Sequence, residues 1–452
     1  MALGAQESVE SLGRMLSPWS LLPFACLLAS IALLPLVAHR WWDDNRHRAI
    51  VSALFAVPFA ALLLATHPGL GAHALHEALL DYASFMSLLA ALYVIAGGIY
   101  VRGSLAGTPL SNTALLAIGA VLANAIGTTG ASMVLIRPLL RANKSRRDKK
   151  HLVVFFIFVV SNCGGLLTPL GDPPLYLGFL KGVPFAWTAG LWKVWAVVNG
   201  VLLILFHVVD GWMLDREEAQ RRGSQLEKVL HHEKLGLEGW PNVVLLAGVI
   251  LVILGKGQGY GTADGHWPLG VQEALVIALA VVGYRITKPA TRAKNEFSMA
   301  PIVEVGVLFA GIFVTMVAPL QILNARGAEL GLERPWHYFW ASGLLSSFLD
   351  NAPTYMTFAA TACGQAGIPA EGPRYLAEFL ERASANAALL AAISCGSVMM
   401  GANTYIGNGP NFMVKSIAES QGVKMPSFFG YMAWSGAILL PVFVFVTLLF
   451  FR

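Results

Sequence analysis

Thr168-Pro169-Leu170-Gly171-Asp172-Pro173-Pro174 and Thr404-Tyr405-Ile406-Gly407-Asn408-Gly409-Pro410 share one pattern, T-x-x-G-[DN]-x-P, and lie 236 positions apart in a chain of 452 residues. A separation of about half the chain is the signature of an internal repeat. Gly and Pro at this density cannot continue a helix, yet the flanks on both sides are apolar enough to be helices in a bilayer. Each stretch therefore reads as the unwound middle of a broken membrane helix. Its freed carbonyls, its Thr hydroxyl and its Asp or Asn side chain then have to face a polar site, because lipid offers them no partner. A pair of Gly/Pro-interrupted apolar segments at corresponding places in two halves points to a transporter's binding site.

Composition agrees. Hydrophobic residues make up 56% of the chain and charged ones 13%, too little polar surface for a soluble protein of this length. The formal charge of +5 falls in short loops between apolar runs, so it reports orientation rather than an anionic partner such as nucleic acid. The four cysteines, Cys26, Cys163, Cys363 and Cys395, show no CxxC spacing, which argues against a disulfide framework or a zinc site. No GxSxG or HExxH motif and no P-loop occurs, so neither an intramembrane enzyme nor a nucleotide-driven pump is supported.

Spans are expected at about 18–38, 49–66, 80–101, 189–208, 240–256, 268–285, 301–323 and 427–451. Broken spans are expected at 151–177 and 384–414, and interrupted apolar segments at 112–140 and 337–362. Arg40, Arg46 and Arg48 follow the first span, and the 67–79 loop has no Lys or Arg, so the first span runs from outside to inside. The 112–140 segment then starts inside and ends inside, before Arg141, Lys144, Arg146, Arg147, Lys149 and Lys150. It reads as a re-entrant hairpin with its tip in Ile126-Gly127-Thr128-Thr129-Gly130. The second hairpin centres on Ser346-Ser347-Phe348-Leu349-Asp350-Asn351-Ala352-Pro353-Thr354, with Asn351-Ala352 aligned to Asn124-Ala125.

The expected fold class is all-α and polytopic: two inverted repeats, each of five transmembrane helices plus one re-entrant hairpin, with a broken helix in each. The first repeat covers 1–208, a cytoplasmic amphipathic linker 209–239 and the second repeat 240–452. Both termini are placed outside and the basic loops in the cytoplasm. His207 and Asp210 read as interfacial.

Ser161-Asn162-Cys163-Gly164-Gly165, Leu349-Asp350-Asn351-Ala352-Pro353-Thr354 and Pro301-Ile302-Val303-Glu304-Val305-Gly306 resemble the ion-transporter superfamily. It includes NhaD-type sodium/proton antiporters, arsenite-type permeases, and citrate and divalent-anion symporters. The resemblance covers nearly the whole chain and is greatest to the branch of sodium:proton antiporters and citrate transporters. It implies an elevator mechanism, in a homodimer of the inner membrane, with no cofactor beyond transported or coupling Na+ and H+.

Residue chemistry ranks the substrates. Asp172 and Asp350 suit a cation, and Asn124, Thr128, Thr129, Asn162, Thr168, Asn351, Thr354, Asn403, Thr404 and Asn408 supply the amide and hydroxyl oxygens that a hard ion such as sodium prefers, with no transition metal called for. Sodium/proton antiport is accordingly placed first, sodium- or proton-coupled citrate or dicarboxylate transport second, and arsenite-like oxyanion export third. Asp172, Asp350 and Glu304 are the candidate proton carriers. Alternatively Asp172 and Asp350 only cap helices, Glu304 is an interfacial charge, and Asn162 and Asn403 join helices without touching substrate.

Overall fold

A computed structural model describes residues 12–42, 44–102, 107–220, 236–258 and 267–452. Long helices follow the apolar runs: α1 (Leu22–Val37), α2 (Asn45–Thr66) and α3 (Pro68–Ala96). A strand β1 (Tyr100–Arg102) precedes α4 (Pro109–Ala142), then come α5 (Lys150–Val159), α6 (Pro173–Leu180) and α7 (Trp192–Gln220). The second half runs through β2 (Gly236–Glu238), α8 (Trp240–Gln258), α9 (Val271–Ile286), α10 (Ala300–Thr315) and α11 (Val317–Arg326). It ends with α12 (Pro335–Ser346), α13 (Asn351–Gln365), α14 (Tyr375–Arg382), α15 (Ser384–Met400), α16 (Gly409–Ser420) and α17 (Phe428–Phe450). Eight helical stretches among the described residues are long and apolar enough to cross a bilayer, so the protein is a polytopic, helical membrane protein.

One of the eight, α4, does not run straight. Gly127 interrupts it at φ 76°, ψ 155°, a conformation that a side chain would strain. The two arms fold back on each other, because Asn112 near the start donates to Asn143 at the end over 3.0 Å and Asn143 returns a 2.8 Å bond. The fold-back expected at 112–140 is therefore present. Arms α12 and α13 form the second hairpin around residues 347–350, tied at the open end by Tyr338 donating to Gln365 over 2.6 Å.

Helix breaks fall where Gly and Pro demand them. Helix α5 is buried on every side, with Leu152 to Val160 all 0% exposed, as a helix apolar all round must be. The chain then unwinds from Val160 and resumes at Pro173, while α15 unwinds after Met400 and resumes at Gly409. Asp172 (φ −147°, ψ 146°) and Asn408 (φ −152°, ψ 141°) precede the two restarts in the same extended conformation. Helix α12 packs along α15, α13 against α6, and α3 against α8, α9 and α10.

The helical fold carries one short addition: β1 and β2 pair antiparallel, Val101 opposite Leu237, and join the end of α3 to the start of the second half. Helix α7 runs on through the first residues of the expected 209–239 linker as far as Gln220, and residues 221–235 of that linker lie outside the described residues. Asp210 is fully buried rather than interfacial: Arg146 and His151 meet its Oδ1, and Asn112 donates to its Oδ2 over 2.8 Å. A buried carboxylate needs such partners, so this set fastens the open end of the first hairpin to α5 and α7.

The fold-back gives a direct test. In a straight helix Asn112 and Asn143 would stand about 46 Å apart. Oxidation of Asn112→Cys/Asn143→Cys should give an internal disulfide detectable by peptide mass spectrometry, and its absence would restore a continuous helix.

Candidate functional site

The two helix restarts and the two hairpin tips meet at one side chain. Asp172 precedes Pro173 and Pro174, which have no N–H to offer at the first two positions of α6. Its carboxylate therefore makes no capping bond to its own helix and points into the fold instead, 1% exposed. Thr128, first residue of the second hairpin arm of α4, donates to Oδ1 over 2.8 Å. Asn351, first residue of α13, donates to Oδ2. Asn408, just before α16, donates to Oδ1 over 3.3 Å and lies within 3.3 Å of the Ser161 carbonyl and Asn162 Oδ1. Four helix N-termini, of α6, α13, α16 and the second arm of α4, thus surround one carboxylate, each presenting the positive end of its helix dipole. No Lys, Arg or His among the described residues pairs with Asp172.

Asp350 behaves otherwise. The backbone N–H of Ala352 donates to its carboxylate over 3.1 Å, so it caps α13, the local role open to it because Ala352 still has an N–H. Thr354 donates to the Asp350 carbonyl over 3.0 Å, within the same turn. Glu304 lies apart from Asp172 on α10 and pairs with Arg48 of α2 at 3.1 Å, a contact between neighbouring helices.

The remaining expected residues hold the loops in place. Asn124 donates to the Gly164 carbonyl over 2.7 Å and accepts from Leu167 N–H over 2.7 Å, while Thr168 donates to the Asn124 carbonyl over 2.5 Å. Thr404 makes the matching bond, 2.5 Å to the Ser347 carbonyl, and Asn403 donates to Ser347 Oγ over 2.9 Å. Asn124 and Ser347 thus accept the same kind of bond from a threonine of the neighbouring break, while Thr128 and Asn351 each begin a second hairpin arm. Asn162 donates to Asn411 over 2.7 Å, crossing from one broken helix to the other.

Asn411, Ser161 and Ser347 were not among the expected site residues. Asn411 donates to the carbonyls of Gly401 and Thr404, over 2.8 and 2.9 Å, and so closes the second break. Its signal was an Asn in the first turn of a helix that had to satisfy its own unwound start. A cavity of about 40 Å³, room for on the order of two or three waters, separates Asp172 from α3; Thr129, Pro169, Tyr176 and Tyr93 are among its walls.

Close backbone approach explains the glycines. A Cβ on Gly171 would lie 2.1 Å from the Gly165 carbonyl, and one on Gly407 would lie 2.5 Å from that of Gly401. Gly171→Ala should lower stability by about 1–3 kcal/mol in thermal or denaturant unfolding, whereas Gly190→Ala, with open space at its Cβ, should fall within about 0.5 kcal/mol of wild type. Asp350→Ala should cost ~1 kcal/mol, and Asp350→Asn, which still caps, close to nothing; an equal loss for both would remove the capping assignment.

No curated protein matches the chain. One family model does, over residues 13–451, and its description is "Putative citrate transport". With a match of that length, this chain, a polytopic helical protein with two interrupted helices meeting at a buried carboxylate, belongs to the citrate-transport family so described.

Proposed function

We propose that the chain is a cation-coupled secondary transporter of citrate-type carboxylates, with Asp172 carrying the coupling ion. The observation behind this reading is the convergence of four helix N-termini and three neutral donors on a single carboxylate. Such a field suits an anion. Asp350 spends one carboxylate oxygen on capping its own helix, which favours Asp172 as the residue that carries the ion. Asp172 remains, and a buried charge with no cationic partner favours uptake of a proton or a sodium ion. When that ion neutralises Asp172, the amides of Asn351 and Asn408 and the Thr128 hydroxyl are freed to bind a substrate carboxylate. Coupling follows from this exchange of partners.

The equal dihedrals before the two restarts, and the equivalent Thr168 and Thr404 clamps, support two repeats; inversion follows from the charge-based topology, with both termini outside and basic loops in the cytoplasm. In the elevator reading, hairpins and broken helices move together past α2, α3, α8, α9 and α10, and the homodimer is formed by that static part.

Sodium/proton antiport remains the second reading. Asn351 Oδ1 is buried without a partner beside Asp172, so a cation there would find an amide oxygen as well as the carboxylate.

Proteoliposomes containing an internal pH dye distinguish the two. Labelled citrate should accumulate under an inward sodium or proton gradient. Asp172→Asn should reduce that uptake by roughly 10- to 100-fold, the equivalent of one charge-assisted hydrogen bond of about 1.5–3 kcal/mol, while the protein stays folded. Sodium-driven alkalinisation of the lumen without citrate uptake would establish antiport instead, and undiminished transport by Asp172→Asn would remove Asp172 from both readings.

A further inference from the structure

A second cavity, of about 580 Å³, lies away from Asp172 in the seam between the first hairpin and α8. Its walls come from both arms of α4 and from one side of α8, and the cross-strand pair Val101 and Leu237 closes one end. The lining is apolar apart from Ser111. Water needs several polar partners to stay in such a space, so the cavity does not suit water. From Ser111 to Ala125 the groove follows the first arm for 14 residues, about 21 Å of helix, which exceeds the depth of one leaflet, about 15 Å of a 30 Å hydrocarbon core.

The β-ribbon end of the groove is basic. Arg102 lies across Gly236, where a Cβ would come within 2.2 Å of its Nε. Lys294 donates to both oxygens of Glu238 over 2.8 and 2.9 Å, and this bond, with Arg102 and Lys288 nearby, holds the half-buried Glu238 carboxyl below its usual range. Arg141 bonds the Tyr100 hydroxyl and the Val101 carbonyl. Four cations against one carboxylate complement a phosphate at this edge.

We propose that the groove holds an acyl chain of an anionic phospholipid, with its phosphate at the basic β1–β2 ribbon. The bilayer supplies this ligand at the right depth and with matching chemistry at both ends. The site is independent of what the protein transports, since no residue of the groove bonds Asp172.

Native mass spectrometry of the full-length, delipidated protein in detergent tests this, with phosphatidylglycerol or phosphatidylcholine of matched chains added back. Wild type should keep one phosphatidylglycerol per chain at energies that strip phosphatidylcholine. Ala247→Trp, which fills the groove from α8, should reduce that adduct at least tenfold, and Arg102→Gln should remove the preference for the anionic head. Ile118→Trp fills it from the hairpin side and replaces Ala247→Trp if the latter does not fold. An unchanged adduct in a folded groove-filling variant would overturn the proposal. So would a loss of dimer mass with lipid unchanged, which would assign the groove to a second copy of the chain.

Discussion

A carboxylate that makes no bond to its own helix organises the centre of this protein. Two prolines after Asp172 remove the first two amides of α6, and its charge is satisfied by other elements instead. Thr128, Asn351 and Asn408 do so from three separate parts of the chain, at positions where helices begin. Moving any one of these N-termini away would leave a buried charge short of a partner, a cost of about 1–3 kcal/mol or more. The hairpins and broken helices are thereby held together as one unit.

The unwound segments would be untenable in lipid unless their own backbone were satisfied. Thr168 and Thr404 each bond a carbonyl at the neighbouring hairpin tip, and Asn124, Asn403 and Asn411 take up nearby amides, carbonyls and hydroxyls. Glycine at 165, 171, 401 and 407 lets the two limbs of each break pass at backbone contact. These asparagines hold the loops, and only then can the aspartate face inward.

Contacts between this unit and its surroundings are of another kind. Lys181, at the end of α6, pairs with Asp81 of α3 at 2.5 Å, and Arg137 of the first hairpin pairs with Glu296 at 2.8 Å. The two ion pairs lie at separate places on the same boundary; Glu296 is exposed, which makes its pair weak and exchangeable, whereas Lys181 and Asp81 are both largely shielded from water. Helices α3 and α10 instead meet through stacked rings, Phe85 on Phe309 at 5.0 Å, a packing contact that favours a fixed arrangement.

The T-x-x-G-[DN]-x-P repeat was sufficient to place both breaks, because Gly and Pro act locally and their consequence for a helix does not depend on the rest of the fold. Apolar run length likewise gave the helices, and the basic cluster after 140 gave the first hairpin. The same local rule, applied further, would have separated the two aspartates: Asp172 is followed by Pro-Pro and Asp350 by Asn-Ala, so only the second can cap within its first two positions. What the sequence alone could not give was the meeting of residues 128, 172, 351 and 408. Nothing local to a hairpin tip says which break it packs against, and only that packing brought the Asn124 and Ser347 carbonyls to Thr168 and Thr404. The buried Asp210 and the β-ribbon have the same origin: each depends on partners tens to more than a hundred positions away, and no periodicity in either segment reports them.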